Sequence, residues 1–488
     1  MRLANQYSTI GNAIHVDNGY AYVMTNTFDT TRIAITIGKL YKINLDNSLI
    51  EDSIIINTNP IEFEANSTKF FVSNDTLNYF ARGNERRDTI INGQNVFTYY
   101  HHFKLNLNDG TWSNQTFPAF DATGLQFLVQ RDAAFSSSSV YSANFALDTT
   151  NNETDVLVTR LDHNGNVIWN KNYANETSQS IWSILEDQDG NIVFCGNFFS
   201  LSRDRRTGFS HLYIQKIKRE DGSIIKIFSV EEDTGSPRAS VEDPNGGYII
   251  SSGDAEFREG GSFPAITRII KIDKNLDSIV WELPLSDTLT FNTFWHLDKF
   301  ISLGNNEFLG VGVAESVVPF SHLGRVVKFT GDGELLFDKE IYNLEFTRGL
   351  EQRLVDVVPY KEGFLACGTL LGSLDILSPR QQGWVVYFDN DGNSDFSSSI
   401  LNLGITDTNS LKVYPNPSEG QFTIEFNEKT ESRSRYTIYT IDGRKVKNGS
   451  MPSGTLEFQL EMFNFQSGNY ILEVVNTEFK KSLLLYRQ

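Results

Sequence analysis

The sequence predicts an all-β protein made of a repeated four-stranded unit followed by a small C-terminal domain. Short runs rich in Val, Ile, Phe, Tyr and Thr alternate with Asn-Gly, Asp-Gly and Gly-Gly pairs, which is typical of strands joined by tight turns. Long amphipathic helical patterns are missing almost everywhere. A chain of 488 residues is too long for one ordinary core, so several domains or a repeat array are expected.

The composition is that of a folded, acidic protein. Hydrophobic residues make up 40% and charged residues 21%, which argues against disorder. The net charge of −19 argues against a nucleic-acid partner, because such a surface repels phosphates. No apolar run approaches the roughly 18–20 residues that span a bilayer, so no transmembrane segment is predicted. Two cysteines cannot form a disulfide framework or a cysteine metal site.

A hairpin with a basic residue in its first strand recurs through about residues 9–403. Two copies are LVTRLDHNGNVIWN from Leu157 and RVVKFTGDGELLFD from Arg325. The anchor residues are 55 to 62 positions apart, and a second hairpin precedes each. The anchors are Lys42, Lys104, Arg160, Lys216, Lys271, Lys328 and Tyr387. Seven units of two hairpins predict seven four-stranded sheets.

Such a sheet cannot bury both of its faces alone, and radial stacking of sheets solves this problem. We therefore predict a seven-bladed β-propeller within residues 1–403. A linear solenoid is the alternative, but its repeats are usually shorter and it needs polar caps. The units resemble those of secreted bacterial propeller-repeat proteins, in which a strand precedes Asp-x-x-Gly and often Trp. Asp162, Gly165 and Trp169 match this motif, and Trp281 occupies the equivalent Trp position in another unit.

After a short polar linker at 404–410 the pattern changes, and residues 411–488 contain four short motifs. Pro-Asn-Pro fixes φ at two positions and turns the chain into the alternating strand Gln421–Phe426. Asp-Gly at 442–443 is typical of a hairpin turn. The size and alternation predict a small immunoglobulin-like β-sandwich. The motif residues are Pro415, Asn416, Pro417, Gly420, Asp442, Gly443, Arg444, Gly468, Tyr470, Lys480 and Lys481.

These motifs, in this order, resemble the type A C-terminal sorting domain of the type IX secretion system. The resemblance implies recognition by the outer-membrane secretion machinery and a secreted or cell-surface location in a diderm bacterium. Such cargo needs a Sec signal peptide, yet MRLANQYSTIGNAIHVD lacks an apolar segment of roughly 7–15 residues. We expect that peptide to have been removed or to lie upstream. Residues 411–488 carry a net charge of +1 and the other 410 residues −20, so the acidity belongs to the propeller.

The loops between the second and third strands of each unit are the predicted functional face. Short turns occupy the opposite face, and variable loops on a rigid scaffold are where binding sites tend to lie. These loops are Ala81–Val96, Ser200–Ser210, Ala255–Pro264, Ala314–Ser321 and Leu371–Gly383. Two of them concentrate the candidate ligand-face residues Arg82, Arg86, Arg87, Arg203, Arg205 and Arg206. Arginine forks there would bind a carboxylated glycan or another anion. The alternative is solvated pairing with neighbouring acidic residues.

Few residues point to metal or catalytic chemistry. Asp389, Asp391, Asn393 and Asp395 place oxygen atoms at alternate positions, which makes a weak calcium candidate, but other units have a tight turn there. No other cofactor is predicted. Patterns of zinc peptidases, serine hydrolases and phosphate-binding loops are missing. Cys195 and Cys367 take corresponding positions in two units, which favours small buried core residues.

The sequence therefore favours a secreted or cell-surface binding or adhesion protein, with a glycan or protein as its extracellular ligand. The alternative is a secreted enzyme on the same scaffold, acting on glycans as a lyase or glycosidase or as a quinone-dependent dehydrogenase. Whether the protein is an enzyme is left open. Clustered carboxylates with strongly shifted pKa values in the central channel would favour the enzyme.

Overall fold

The structure, a computed structural model, consists of antiparallel β-sheets. The described residues are 2–3, 8–29, 35–47, 49–56, 69–91, 94–118, 125–136, 138–148, 153–174, 178–201, 208–230, 236–253, 267–285, 296–316, 321–341, 352–372, 380–394, 411–426, 429, 434–440, 444–475 and 480–487. No helix occurs among them, and so none that could cross a membrane. The chain divides into two compact units, Met1–Leu403 and Gly404–Gln488. The predicted linker at 404–410 lies outside the described residues.

Six sheets of the first unit are each built from four consecutive strands in sequential order. The chain begins with the short strand β1 (Arg2–Leu3). The first three blades are β2 (Ser8–Asp17), β3 (Tyr20–Asp29), β4 (Ile35–Asn44) and β5 (Leu49–Ile56); β6 (Phe71–Ser73), β7 (Thr76–Ile91), β8 (Gln94–Asn106) and β9 (Trp112–Pro118); and β10 (Leu125–Phe135), β11 (Ser139–Asp148), β12 (Glu153–Asp162) and β13 (Val167–Asn172).

The next three blades repeat the same meander of four strands. They are β14 (Gln179–Glu186), β15 (Ile192–Leu201), β16 (Gly208–Ile217) and β17 (Ile224–Ser229); β18 (Ser236–Glu242), β19 (Tyr248–Gly253), β20 (Thr267–Ile272) and β21 (Ile279–Pro284); and β22 (His296–Gly304), β23 (Glu307–Ser316), β24 (Ser321–Thr330) and β25 (Leu335–Ile341). These six sheets and one further sheet of the first unit make seven blades.

The seventh blade differs from the two hairpins expected for every unit. It contains three consecutive strands, β26 (Gln352–Tyr360), β27 (Gly363–Gly372) and β28 (Arg380–Asp389). Its fourth strand is β1, in which Arg2 and Leu3 pair with Trp384 and Gly383 of β28. The start of the chain therefore completes the last blade, which joins the two ends of the ring.

A separate hydrophobic cluster lies between every pair of neighbouring blades. Seven clusters are found, and one of them joins the seventh blade to the first through Leu365, Val385, Ile14 and Val23. Both faces of each sheet are covered in this way, as the propeller prediction requires. The seven-bladed propeller is confirmed.

Several of the repeated basic residues, and Trp169 and Trp281, bridge adjacent blades. Lys104, Arg160 and Lys271 each donate a hydrogen bond to a turn carbonyl of the next blade, at 2.9–3.0 Å. Trp169 and Trp281 donate their indole N–H groups to turn carbonyls of the next blade as well. These hydrogen bonds explain why the anchors recur at a nearly constant interval.

The C-terminal unit is a two-sheet sandwich with its own core. One sheet contains β29 (Leu411–Tyr414), β30 (Gln421–Phe426) and β33 (Glu457–Glu461); the other contains β31 (Ser434–Thr440), β32 (Lys445–Met451), β34 (Gly468–Val475) and β35 (Lys480–Arg487). Phe422, Ile424, Ile438 and Leu472 are fully buried between the sheets. This agrees with the predicted small sandwich.

Candidate functional site: the propeller channel

The first strand of a blade is the innermost one, and in six of the seven blades it carries a β-bulge at the corresponding place. The register to the second strand shifts there by one residue, and in the fifth blade Arg238 and Ala239 together lie opposite the single residue Ser251. A bulge leaves its extra residue outside the ladder and re-aims the side chain. The extra residues are Asn12, Arg131, Trp182, Arg238 with Ala239, Asp298 and Val355.

A cavity of about 210 Å³ lies among these inner strands, and its lining is rich in charge. Five cationic side chains and two carboxylates line it, and the carboxylate of Asp356 lies behind Lys299. Cations thus exceed carboxylates in the channel of a propeller whose overall charge is strongly negative. The charged lining residues are Lys69, Arg131, Arg238, Lys299 and Arg353, with Asp132 and Asp298.

The residues that follow five of the six bulges are polar and, together with Lys69 of the second blade, form a belt of side chains around the channel. We use belt for Lys69, Asp132, Ser183, Ser240, Lys299 and Asp356. Lys69 of the second blade binds Asp132 of the third at 2.7 Å and also donates to the carbonyl of Ile184 in the fourth. The Ile184 N–H donates to the same Asp132 oxygen at 3.0 Å. One carboxylate thus links three blades.

The same arrangement recurs on the opposite side of the ring. Lys299 of the sixth blade lies 3.1 Å from the Asp356 carboxylate of the seventh, and the Ile14 N–H of the first blade donates to Asp356 at 2.9 Å. Burial raises the pKa of Asp356, although Lys299 and the Ile14 N–H act against this. Ser240 donates to Ser183 at 2.9 Å between the fifth and fourth blades. The belt therefore connects blades by charged and neutral hydrogen bonds.

Asp298 and Arg353 form a third ion pair in the channel. Both the Nε and an Nη group of Arg353 donate to the Asp298 carboxylate, with the Nε bond at 2.8 Å. Burial alone would raise the pKa of Asp298, but the charge and hydrogen bonds of Arg353 together with neighbouring cationic groups such as Arg238 outweigh burial and lower the pKa. Burial lowers the pKa of His296 to about 3, with further lowering by Arg353 and Arg238, so this imidazole is neutral at neutral pH.

Two arginines in the channel have no carboxylate partner. The guanidinium carbons of Arg131 and Arg238 lie 4.4 and 3.7 Å from the ring centroid of Trp182, and no ion pair joins either arginine to another described residue. The Trp182 indole is fixed by its hydrogen bond to Asn197 at 2.8 Å. We name Arg131, Trp182 and Arg238 the arginine–tryptophan cluster. Their three blades are neighbours, and Trp182 belongs to the middle one.

The predicted arginine face is represented in the described structure by one side chain. Arg82 lies close enough to the channel for its charge to lower the pKa of Arg131. The side chains of Arg86 and Arg87, and Arg203, Arg205 and Arg206 altogether, lie outside the described residues.

The prediction of a loop at Ala81–Val96 is wrong, because most of this segment is in strands. β7 continues to Ile91 and β8 begins at Gln94, so most of this segment is a long hairpin. Asn-Gly at 92–93 is a common hairpin turn, and the Thr, Ile, Val and Phe residues around it favour strands. The other predicted loops lie largely outside the described residues, with β24 beginning at Ser321 and β28 at Arg380.

The calcium candidate forms a tight turn after β28. Asp389 accepts hydrogen bonds from the N–H groups of Asp391 and Asn393, and Lys339 donates to the Asn393 side chain at 2.6 Å. Asp395 lies outside the described residues, among which no cluster of three metal-binding side chains occurs. Cys195 and Cys367 are both buried and free, in the clusters at two different blade interfaces.

In the sandwich, the first sorting motif contacts the last strand. The Asn416 side chain accepts a hydrogen bond from the N–H of Tyr486 at 2.7 Å, and the Ser418 N–H donates to the Tyr486 carbonyl. Tyr470 is buried and donates its hydroxyl to the carbonyl of Gln466. Arg444 is exposed, and Gly468 begins β34. Asp442, Gly443 and the side chains of Lys480 and Lys481 lie outside the described residues.

The channel residues were missed because the bulge interrupts the first strand of the hairpin. In the sequence the clear copies of this hairpin begin at Ile14, Ser183, Ala239, Ile301 and Val357, at or after the bulged residues. An extra residue breaks the alternation of two that marks a strand. The useful signal was a polar or aromatic residue at this place, at intervals of 51 to 60 residues, from Arg131 to Asp298.

The fold and the channel define a β-propeller followed by a sandwich that carries ordered C-terminal motifs. Residues 412–483 match the family described as the secretion system C-terminal sorting domain. The chain therefore carries a type IX sorting domain, which indicates a secreted or cell-surface protein and interaction with that secretion machinery.

Solved structures with a similar fold are distant in sequence. The β-propeller domain of the trilobed protease from Pyrococcus furiosus is 10% identical, with 81% of this chain and 98% of that one covered and a TM-score of 0.42. An acylaminoacyl peptidase from Pyrococcus horikoshii is 9% identical, with 87% and 59% covered and a TM-score of 0.40. Sqt1 from Chaetomium thermophilum is 11% identical, with 100% and 98% covered and a TM-score of 0.40. These similarities concern the fold and carry no argument about activity. A comparison with curated proteins gives no match.

Proposed function

We propose that the protein is an exported binding or adhesion module whose extracellular ligand enters the propeller channel. The observation that carries this proposal is the set of bulges, which direct side chains from separate blades into one cavity. Bulges of this kind are common beside functional sites because they re-aim side chains without disrupting the rest of the sheet. Polar groups that converge in a concave site are typical of ligand binding.

The state of the carboxylates favours binding over the alternative of a secreted glycan-acting or quinone-dependent enzyme. Asp132, Asp298 and Asp356 each bind a cationic side chain in the channel. A general base needs a lone pair that can reach a substrate proton, and these carboxylates are already used by cations and backbone N–H groups. Turnover of a bound glycan, detected by mass spectrometry and abolished in Asp298→Asn, would favour the enzyme instead.

Blocking the channel tests the proposal. A cysteine introduced by Ser240→Cys in the belt lies beside Cys195 and, kept reduced, would react with a maleimide-linked polyethylene glycol. Cys195 and Cys367 are themselves buried, and burial raises the pKa of Cys195 to about 12. On immobilised glycans and surface proteins, labelled Ser240→Cys should lose the binding shown by the unlabelled variant. Label on Asp391→Cys, at an exposed turn, is the matched control. Binding that survives the channel label contradicts the proposal.

The export part has its own test. Deletion of residues 411–488 removes the sandwich and should leave the propeller in the periplasm. Fractionation followed by immunoblotting measures this, and undiminished delivery to the surface or medium would contradict it.

A further inference from the structure

The arginine–tryptophan cluster holds two cationic groups in place without neutralising them. A guanidinium that stacks on an indole uses its flat face and leaves its N–H edge free. The two guanidinium carbons are at most about 8 Å apart, the sum of their distances to the ring, so a single anion between them can reach both forks.

Hydrogen-bonding groups beside the cluster also lack partners. Gln130 is fully buried, and neither its amide oxygen nor its amide nitrogen bonds to another described residue. The Nε of Arg131 is buried and has no described partner either. Buried polar atoms are nearly always hydrogen-bonded, so several unpartnered ones at one cavity indicate a place where a ligand binds. All belong to residues that line the cavity.

The two arginines lie among other cations. Burial lowers the pKa of Arg131, and repulsion by Arg82 lowers it further. Burial also lowers the pKa of Arg238 to about 10; attraction by Asp298 opposes this change, whereas repulsion by Arg353 and Arg131 adds to it. Both arginines remain cationic at neutral pH. An anion placed between them would relieve this repulsion in a poorly solvated site, where charge interactions are strongest.

We propose that the arginine–tryptophan cluster binds the carboxylate of an acidic sugar at the end of a glycan. The sugar class follows from the Gln130 amide, whose oxygen and nitrogen can bind sugar hydroxyls, and from the Ser240 hydroxyl, which donates to Ser183 but can still accept a hydrogen bond. The cavity is smaller than the roughly 300–1,000 Å³ of ordinary ligand sites, so it fits one terminal residue and not a longer stretch. This inference rests on the proposed function of the channel.

Calorimetry with the full chain tests the inference with two trisaccharides that differ only in ending with glucuronate or glucose. The acidic trisaccharide should bind at least tenfold more tightly. Arg131→Gln and Arg238→Gln should each weaken its binding about 10- to 100-fold, as expected for loss of a charge-assisted fork. Arg268→Gln, which removes an arginine that pairs with Glu282 on outer strands, should change nothing. Equal affinity for the two sugars would overturn the inference.

A measurement on the unaltered protein covers the case in which an arginine variant fails to fold. Binding of the acidic trisaccharide should weaken several-fold from low to high salt, and affinity that does not depend on salt would overturn the inference. Tighter binding of an acidic peptide than of the acidic sugar would overturn the sugar class. One outcome separates the two proposals. If the two trisaccharides bind equally and the channel label abolishes the binding of both, the proposed function of the channel stands and the carboxylate inference fails.

Discussion

The channel has two kinds of cationic side chain, and they differ in what holds them. Lys69 and Lys299 in the belt each bind a carboxylate of the next blade, which also accepts a backbone N–H from the blade after that. Arg131 and Arg238 instead stack on Trp182 and have no carboxylate partner. The first kind connects blades, whereas the second leaves hydrogen-bond donors for something outside the chain. The proposed function therefore assigns a structural role to the cations that have a carboxylate partner and a ligand-binding role to the two that have none.

The largest effect is expected from removing a belt carboxylate. Asp356→Ala leaves Lys299 with a buried, uncompensated charge and the Ile14 N–H without its acceptor. The free energy of unfolding should fall by about 3–5 kcal/mol. Denaturant unfolding of the full chain measures this, with Asp391→Ala at the exposed turn as a control that should change by less than about 0.5 kcal/mol. Similar small losses in both variants would remove the distinction between the two kinds of cation.

Acid should destabilise the propeller through two buried histidines. Burial lowers the pKa of His102 and of His296 to about 3, from 6.5. Between pH 6.5 and 3 the unfolded chain therefore binds more protons than the folded one, and stability falls as pH falls. Each histidine should contribute a slope of about 1.4 kcal/mol per pH unit. Unfolding measured across this range should show a shallower slope in His102→Gln and His296→Gln, and unchanged slopes would contradict the prediction.

A neutral link of the belt should matter less than a charged one. Ser240→Ala removes the hydroxyl that donates to Ser183 between two blades. Loss of one neutral hydrogen bond should lower the free energy of unfolding by about 1 kcal/mol. Thermal unfolding of Ser240→Ala and Asp356→Ala, measured side by side, compares the two losses in the free energy of unfolding. If Ser240→Ala loses as much as Asp356→Ala, charge is not what strengthens the belt.

The smallest change in stability is expected at the arginine–tryptophan cluster. Arg238→Gln removes the stacking on Trp182 and the attraction of Asp298, but it also relieves the burial of a charge and the repulsion with Arg353 and Arg131, so these effects oppose one another. The free energy of unfolding, obtained from thermal unfolding, should change by no more than about 0.5 kcal/mol. A loss of several kcal/mol would show that this arginine is structural after all.

The blade count was predictable because its determinants repeat. Arg160 and Trp169 of the third blade both bind the carbonyl of Arg219 in the fourth, and Lys271 and Trp281 repeat this pair at Gly331, so the sequence displays the blade interface at a fixed interval. The channel was not predictable in the same way, because its residues differ from blade to blade. Nor could β1 be recognised as the last strand of the seventh blade, because two residues carry no pattern.

The bulges have a consequence for how such a protein changes over evolutionary time. A residue outside the ladder has no cross-strand partner, so a substitution there leaves the pairing of its neighbours intact. The bulged positions of the six blades, from Asn12 to Val355, can therefore be substituted independently of one another while the strand pairing stays the same. A duplicated unit inherits the frame together with its own variable position. Relatives with the same seven blades are expected to differ in specificity mainly by the side chains at this ring, and a comparison of those positions across relatives would identify their ligands by class.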